Sequence, residues 1–265
     1  MDFINANYKV YLERMTNSFD VTSKGNIPKF VRGRTLDVGC GSGVLLETLP
    51  NAIGIDLNPK AVDSCIARGL NAKCVALEDI DEKFDTIVFS SVLHEFSSYD
   101  DKNPFSVIPI MKALRDAGSK LNSGGQIIIR DGVEASEGKS TLIARDKSTI
   151  NAIEKYKNDS PVFKNALIKI IASGNMVTAP SKFLKEFMFT YTWGPDSYPR
   201  EVNEKYGILT VEKWDDCVRS AGFEIQFMQT QTEEYVKYLS KHFYINDDLK
   251  EIFKDATVFI VATKN

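Results

Sequence analysis

The chain has 265 residues, 43% hydrophobic and 26% charged, with a formal net charge of -3. This is globular composition, and it excludes a disordered chain, a collagen-like fibre and a disulfide scaffold. The mild acidity argues against a dedicated nucleic-acid binder, whose affinity comes largely from phosphate neutralisation; the length suits one α/β domain with or without a sizeable insertion.

The elements are read in chain order. Ala6 to Arg14 is expected to be helical, with Tyr8 and Tyr11 on one face. Gly25, Asn26 and Pro28 mark a loop. Short apolar strands then alternate with helices: strand Arg34 to Val38, helix Ser42 to Leu49, strand Ala52 to Asp56, and helix Lys60 to Arg68 with Asn58 as N-cap and Pro59 behind it. Strands follow at Ala72 to Leu77 and Phe84 to Ser90. A long helix, Pro104 to Leu121, ends at Gly124 and Gly125, and Gln126 to Arg130 is a fifth strand. Such alternation predicts a doubly wound parallel sheet covered on both faces, with ligands at the carboxyl ends of the strands.

After Asp131 the pattern loosens. Residues 132–209 are read as a mostly helical cap inserted in the fold, leaning positive between Glu134 and Thr190. Helix Thr210 to Gly222, strand Phe223 to Thr230, a helical Thr232 to Phe243 and strand Thr257 to Thr263 complete the chain. The expected organisation is therefore 1–131 as an N-terminal helix and cofactor-binding half, 132–209 as the cap, and 210–265 as the rest of the core.

Cys40, Cys65, Cys74 and Cys217 form no CxxC pair, and only His94 and His242 could join them, so no metal site is expected. Neither a signal peptide nor a membrane-spanning stretch is expected, and scattered single cysteines fit a cytoplasmic setting.

Leu36-Asp37-Val38-Gly39-Cys40-Gly41-Ser42-Gly43 carries three alternate glycines directly after a strand. They let the backbone bend and approach a ligand closely. The GxGxG spacing differs from the dinucleotide fingerprint, whose third glycine falls one residue later. Asp37 would repel a pyrophosphate but suits a ligand with a positive group. Asp56 ends the second strand, where a carboxylate can accept hydrogen bonds from two ribose hydroxyls.

LDVGCGSG, GIDLNPKAV, FDTIVFSSVLHEF and GGQIIIRD, in that order, resemble the successive motifs of class I S-adenosylmethionine-dependent methyltransferases. The resemblance covers about residues 30 to 131 and resumes from Thr210 to Thr263. It implies a mostly parallel seven-stranded Rossmann-like sheet with an antiparallel last strand. It implies S-adenosylmethionine as cofactor and S-adenosylhomocysteine as product. Asp37, Gly39, Cys40 and Gly41 would lie along the methionine part, Asp56 at the ribose, and Leu57, Leu77 and Glu78 at the adenine. Ser90 would face the methionine end, and Tyr11 or Arg14 would close over its carboxylate. The usual Gly-Asp pair after strand three is replaced here by Val75-Ala76-Leu77-Glu78.

Methyl transfer is an in-line displacement, so acceptor alignment and proton removal are what the protein must supply. His94, Glu95 and Asp131 are the catalytic candidates, each with a packing or turn role as the alternative. Arg130, Trp193, Tyr198 and Arg200 are the substrate candidates, and Glu201 accompanies them in a segment punctuated by Gly194, Pro195 and Pro199. His242 is read as a surface residue. After strand four the sequence reads Ser-Ser-Val-Leu, without the Asn/Asp-Pro-Pro-Tyr/Phe of base-amine methyltransferases or the Pro-Cys of cytosine-C5 enzymes. The expected reaction is methylation of an O or N of a small-molecule acceptor. An RNA or protein acceptor, a non-catalytic cofactor-binding module and, more distantly, a nicotinamide oxidoreductase are the alternatives.

Overall fold

The computed structural model describes residues 26–163 and 169–265. The expected helix from Ala6 to Arg14, with Tyr11 and Arg14, lies outside them.

In chain order, β1 (Thr35–Val38), β2 (Ala52–Asp56), α1 (Pro59–Ala67), β3 (Ala72–Cys74), β4 (Phe84–Ser90), α2 (Leu93–Ser98), α3 (Val107–Lys120) and β5 (Leu121–Gly132) form the first half. The next segment holds β6 (Lys139–Ala144), α4 (Lys147–Asp159), β7 (Ile171–Ser173), β8 (Met176–Pro180), α5 (Ser181–Thr192) and α6 (Tyr198–Glu201). The chain ends with α7 (Val211–Ser220), β9 (Phe223–Gln231), α8 (Glu233–Leu239), β10 (Phe243–Tyr244), α9 (Asp247–Ile252) and β11 (Thr257–Lys264).

The main sheet has seven strands in the order β3-β2-β1-β4-β5-β11-β9. Only β11 runs against its neighbours, β5 and β9. Side chains alternate across it: Ile87 and Phe89 enter one core with Leu36, Leu114 and Trp214, while Val88 enters the other with Ile27, Ile128 and Phe259. The strand order reverses at β1 and β4, where open α/β sheets form a crevice. Val38 pairs with Ile55 on one side and Phe89 on the other, so Gly39, Asp56 and Ser90 reach one level at the carboxyl edge.

The helix starts follow their sequence signals. Asn58 caps α1 by accepting from Lys60 N at 3.0 Å, with Pro59 in the first turn. Thr210 caps α7, accepting from Lys213 N at 3.4 Å. The expected helix from Ser42 to Leu49 is corrected: only a 3-10 turn, Leu46–Thr48, forms there. Gly43 is left-handed at φ +77° and Leu49, before Pro50, is extended, leaving too few residues between them to nucleate an α-helix.

The insertion contains the expected helices but also a four-stranded antiparallel sheet, β10-β6-β8-β7. Its strand β10 comes from the connection between β9 and β11, outside residues 132–209. Phe243 pairs with Ala144, and Leu249, Ile252 and Phe253 join Phe183, Phe187 and Phe189 in one apolar cluster. Thr232 to Phe243, expected as one helix, ends as a helix at Leu239. The cap thus has two chain segments and its own core.

Candidate active site

A cavity of about 1000 Å³ opens at the carboxyl edge of the sheet and runs beneath the cap. Its first wall is backbone. Gly39 and Gly41 take φ of +69° and +51°. A Cβ on Gly39 would lie 2.4 Å from Val92 Cγ2, so glycine is required for both conformation and space. Asp56 fixes the loop: its carboxylate accepts from Gly41 N at 2.9 Å and Asn58 N at 2.8 Å. Burial raises the Asp56 pKa despite these donors. Leu57, 64% exposed, presents its side chain beside Asp56.

The opposite wall is a buried polar cluster. Ser91 sits at φ +58° just after β4, held by a bond from its N–H to Arg130 O at 2.7 Å. The turn launches α2, which carries His94 and Glu95. His94 Nδ1 lies 2.7 Å from Asp131 Oδ1, and Nε2 lies 3.5 Å from Glu204 Oε2. Burial opposes charge on the His94 ring, but Asp131 and Glu204 outweigh it and hold the pKa well above the ordinary imidazole value.

Arg200 binds three carboxylates: Glu95 at 2.9 Å, Glu201 at 2.9 Å and Glu204 at 3.1 Å. Tyr99 donates its hydroxyl to Glu204 at 2.7 Å, and Tyr206 donates to Glu201. Burial raises Glu95 and pushes Glu201 up to about 8. For Glu204 burial acts in the same direction, but Arg200 and His94 overcome it and lower its pKa. His94, Glu95 and Glu204 offer ligand atoms within 4.8 Å of one another, a spacing that suits a metal ion. The Arg200 guanidinium already contacts both glutamates, and it supplies the positive charge there.

Among the sequence candidates, the cavity brings together Gly39, Gly41, Asp56, Leu57, Leu77, Glu78, Ser90, His94, Glu95, Asp131, Trp193, Arg200 and Glu201. Asp37 is buried beneath the glycine loop rather than on the wall. Cys40 also turns away, its sulfur 4.0 Å from that of Cys65. Arg130 is fully buried and donates to Ser91 Oγ at 2.6 Å, which places it behind the wall. Tyr198 points elsewhere, bonding Asp159 at 3.0 Å beside Lys155. His242 is corrected from surface to cavity: it lines the wall with its ring 5.0 Å from that of Tyr191.

Sequence reading missed Tyr99, Glu204, Tyr206 and Tyr238, which also line the cavity. Glu204 falls four residues after Arg200, the spacing of a helical ion pair, which is the one signal that could have drawn attention to it.

A family profile described as a methyltransferase domain matches residues 21–226. An uncharacterized protein of Methanocaldococcus jannaschii is 30% identical over 146 residues, 54% of this chain and 59% of that one. A probable nonribosomal peptide synthetase of Salinispora arenicola is 30% identical over 124 residues, 40% of this chain and 1% of that protein. The chain thus spans less than two thirds of these relatives. Among solved structures, a SAM-dependent methyltransferase of Thermotoga maritima superposes with a TM-score of 0.54 at 16% identity, covering 97% of this chain and 95% of that one. One from Mesorhizobium loti gives 0.54 at 15%, covering 96% and 100%. The complex of the Haloferax volcanii Trm112 methyltransferase activator with a methyltransferase gives 0.56 at 12%, covering 98% and 99%. These structural likenesses concern the fold.

Proposed function

We propose, from the premise that this chain belongs to the methyltransferase-domain family, that it moves the methyl group of S-adenosylmethionine to an O or N of a small-molecule acceptor. The observation that carries this reading is one continuous cavity. A glycine loop closed on Asp56 forms one end, and an enclosed polar cluster under the cap forms the other.

The residues present fit the cofactor. Gly39 and Gly41 present bare backbone to the cavity, and a Cβ at Gly39 would collide with Val92. Ser90 Oγ is buried on the cavity wall without a hydrogen-bond partner among the described residues. When bound, S-adenosylmethionine supplies an electrophilic methyl on a sulfonium. Gly39, Gly41 and Ser90 would hold the methionine end, and Asp56 would accept from the ribose hydroxyls. Leu57, Leu77 and Glu78 would border the adenine.

The remaining work is positioning and proton transfer. With Asp131 and Glu204 raising its pKa, His94 serves as a cation and donor that orders those two carboxylates rather than as a general base. Glu95 reaches the cavity, with its side chain 29% exposed and its pKa raised, and is the better proton acceptor. Arg200 holds that carboxylate in place. Trp193 and the rings beside it would exclude water from the acceptor.

The four cysteines are free thiols, which supports a cytoplasmic setting. No helix among the described residues is long and apolar enough to cross a membrane. The test is release of S-adenosylhomocysteine with a panel of small hydroxyl and amine acceptors. Release with a small acceptor supports the reading. Release only with RNA or with protein would replace it.

A further inference from the structure

At the acceptor end of the cavity four carboxyl groups meet two cations, and with Glu201 raised to about 8 the other three are left to carry charge near neutral pH. Glu95, Asp131, Glu201 and Glu204 gather there. Among the described residues the cations touching them are Arg200 and the His94 ring. The raised pKa values of Glu95 and Glu201 have burial as their main cause, and the charge of Glu204 adds to both. A third cation would lower both, whereas an anion would raise them further.

The same space is walled by rings. Phe189, Tyr191, Trp193, Tyr206, Tyr238 and His242 line it. Tyr191 and Tyr238 bracket His242, with centroids 5.0 Å and 6.1 Å away, and the Tyr206 ring lies 4.7 Å from that of His94. Aromatic faces attract cations and accept apolar skeletons. An independent sign of a polar ligand is Thr257. Its Oγ1 is buried on this cavity without a hydrogen-bond partner among the described residues, at 2% residue exposure.

We propose that the acceptor is a small amine carrying an apolar or aromatic skeleton, bound as an ammonium against Glu95 inside the ring of aromatic side chains. This rests on the methyltransferase reading and gives it a substrate class. For transfer, the ammonium passes one proton to the Glu95 carboxylate. The freed nitrogen lone pair forms the new C–N bond as the C–S bond breaks, and the electron pair of that bond stays on sulfur. The products are a methylated ammonium, S-adenosylhomocysteine and a protonated Glu95.

The test measures binding to the full chain saturated with S-adenosylhomocysteine. The probes are benzylamine, phenethylamine and tryptamine, with the alcohols and carboxylates of the same skeletons. At least one amine is expected to bind ten times more tightly than its alcohol, with no carboxylate binding. Glu95→Gln is expected to erase that preference, and Glu95→Asp to retain it, with S-adenosylhomocysteine affinity unchanged in both. Equal or tighter binding of alcohols or carboxylates, no binding by any probe, or an amine preference that survives Glu95→Gln would overturn the proposal. In each of those cases bound S-adenosylhomocysteine leaves the methyltransferase reading standing. Failure of S-adenosylhomocysteine itself to bind would overturn both.

Discussion

Asp131 grips His94 twice: Oδ1 lies 2.7 Å from Nδ1, and Oδ2 accepts from the His94 backbone N–H at 3.2 Å. The end of β5 thereby sets both the position of α2 and the charge of its histidine. Asp131→Asn keeps the size but removes the counter-charge. The His94 ring in the wild type is expected to titrate above the ordinary imidazole range by nuclear magnetic resonance. In Asp131→Asn its pKa is expected to drop, so that it begins to titrate within or nearer that range. The sign for stability follows. A raised histidine pKa stabilises fully below the unfolded value near 6.5 and loses that contribution as pH climbs through the folded value.

Glu201 shifts stability with pH in the same direction. Its carboxyl rises from 4.5 to about 8, so the folded state binds more protons than the unfolded chain between those values. Stability contributed by this group is present below pH 4.5 and falls as pH rises to 8. Glu201→Gln should therefore gain on the wild type as pH increases. Melting temperatures compared at pH 5 and pH 8 check this; about 1 kcal/mol moves the midpoint by roughly 2–4 °C at this size. A gap that stays constant or reverses contradicts it.

Glu204 joins segments far apart in sequence, reaching Tyr99, Arg200 and His94 while 1% exposed. Glu204→Ala strands a buried guanidinium and imidazolium, and is expected to cost about 3–5 kcal/mol in urea unfolding. Because this pKa is lowered, the carboxylate contributes above pH 4.5, and the loss shrinks as pH falls through the folded value.

Gly39→Ala tests the loop. The new methyl meets Val92 Cγ2 at 2.4 Å in a left-handed backbone, so about 1–3 kcal/mol of strain is expected. S-adenosylhomocysteine affinity should fall with it, read by calorimetry on the folded variant.

Much of the glycine-loop end of the cavity is legible in the sequence because its requirements are local. Positive φ at Gly39 and Gly41 needs glycine, and Asp56 follows a strand whose apolar run is plain. The same locality misled at Ser42 to Leu49, where helix-forming residues are confined between Gly43 and Pro50. The polar cluster under the cap is less legible because tertiary contacts assemble it. Tyr99 meets Glu204 across 105 positions, and His242 reaches Tyr191 only because β10 folds back on β6. The small sheet escaped notice because β7 and β10 have three and two residues. No periodicity can be read from segments so short.

The most direct test of the central claim is calorimetric titration of S-adenosylhomocysteine into the wild type, Asp56→Ala and the gentler Asp56→Asn. Wild-type binding is predicted in the micromolar range, weakened at least tenfold by Asp56→Ala, or about 1.4 kcal/mol, with Asp56→Asn also weakened. No binding to the wild type, or equal affinity in all three folded proteins, would contradict a cofactor site built on this loop.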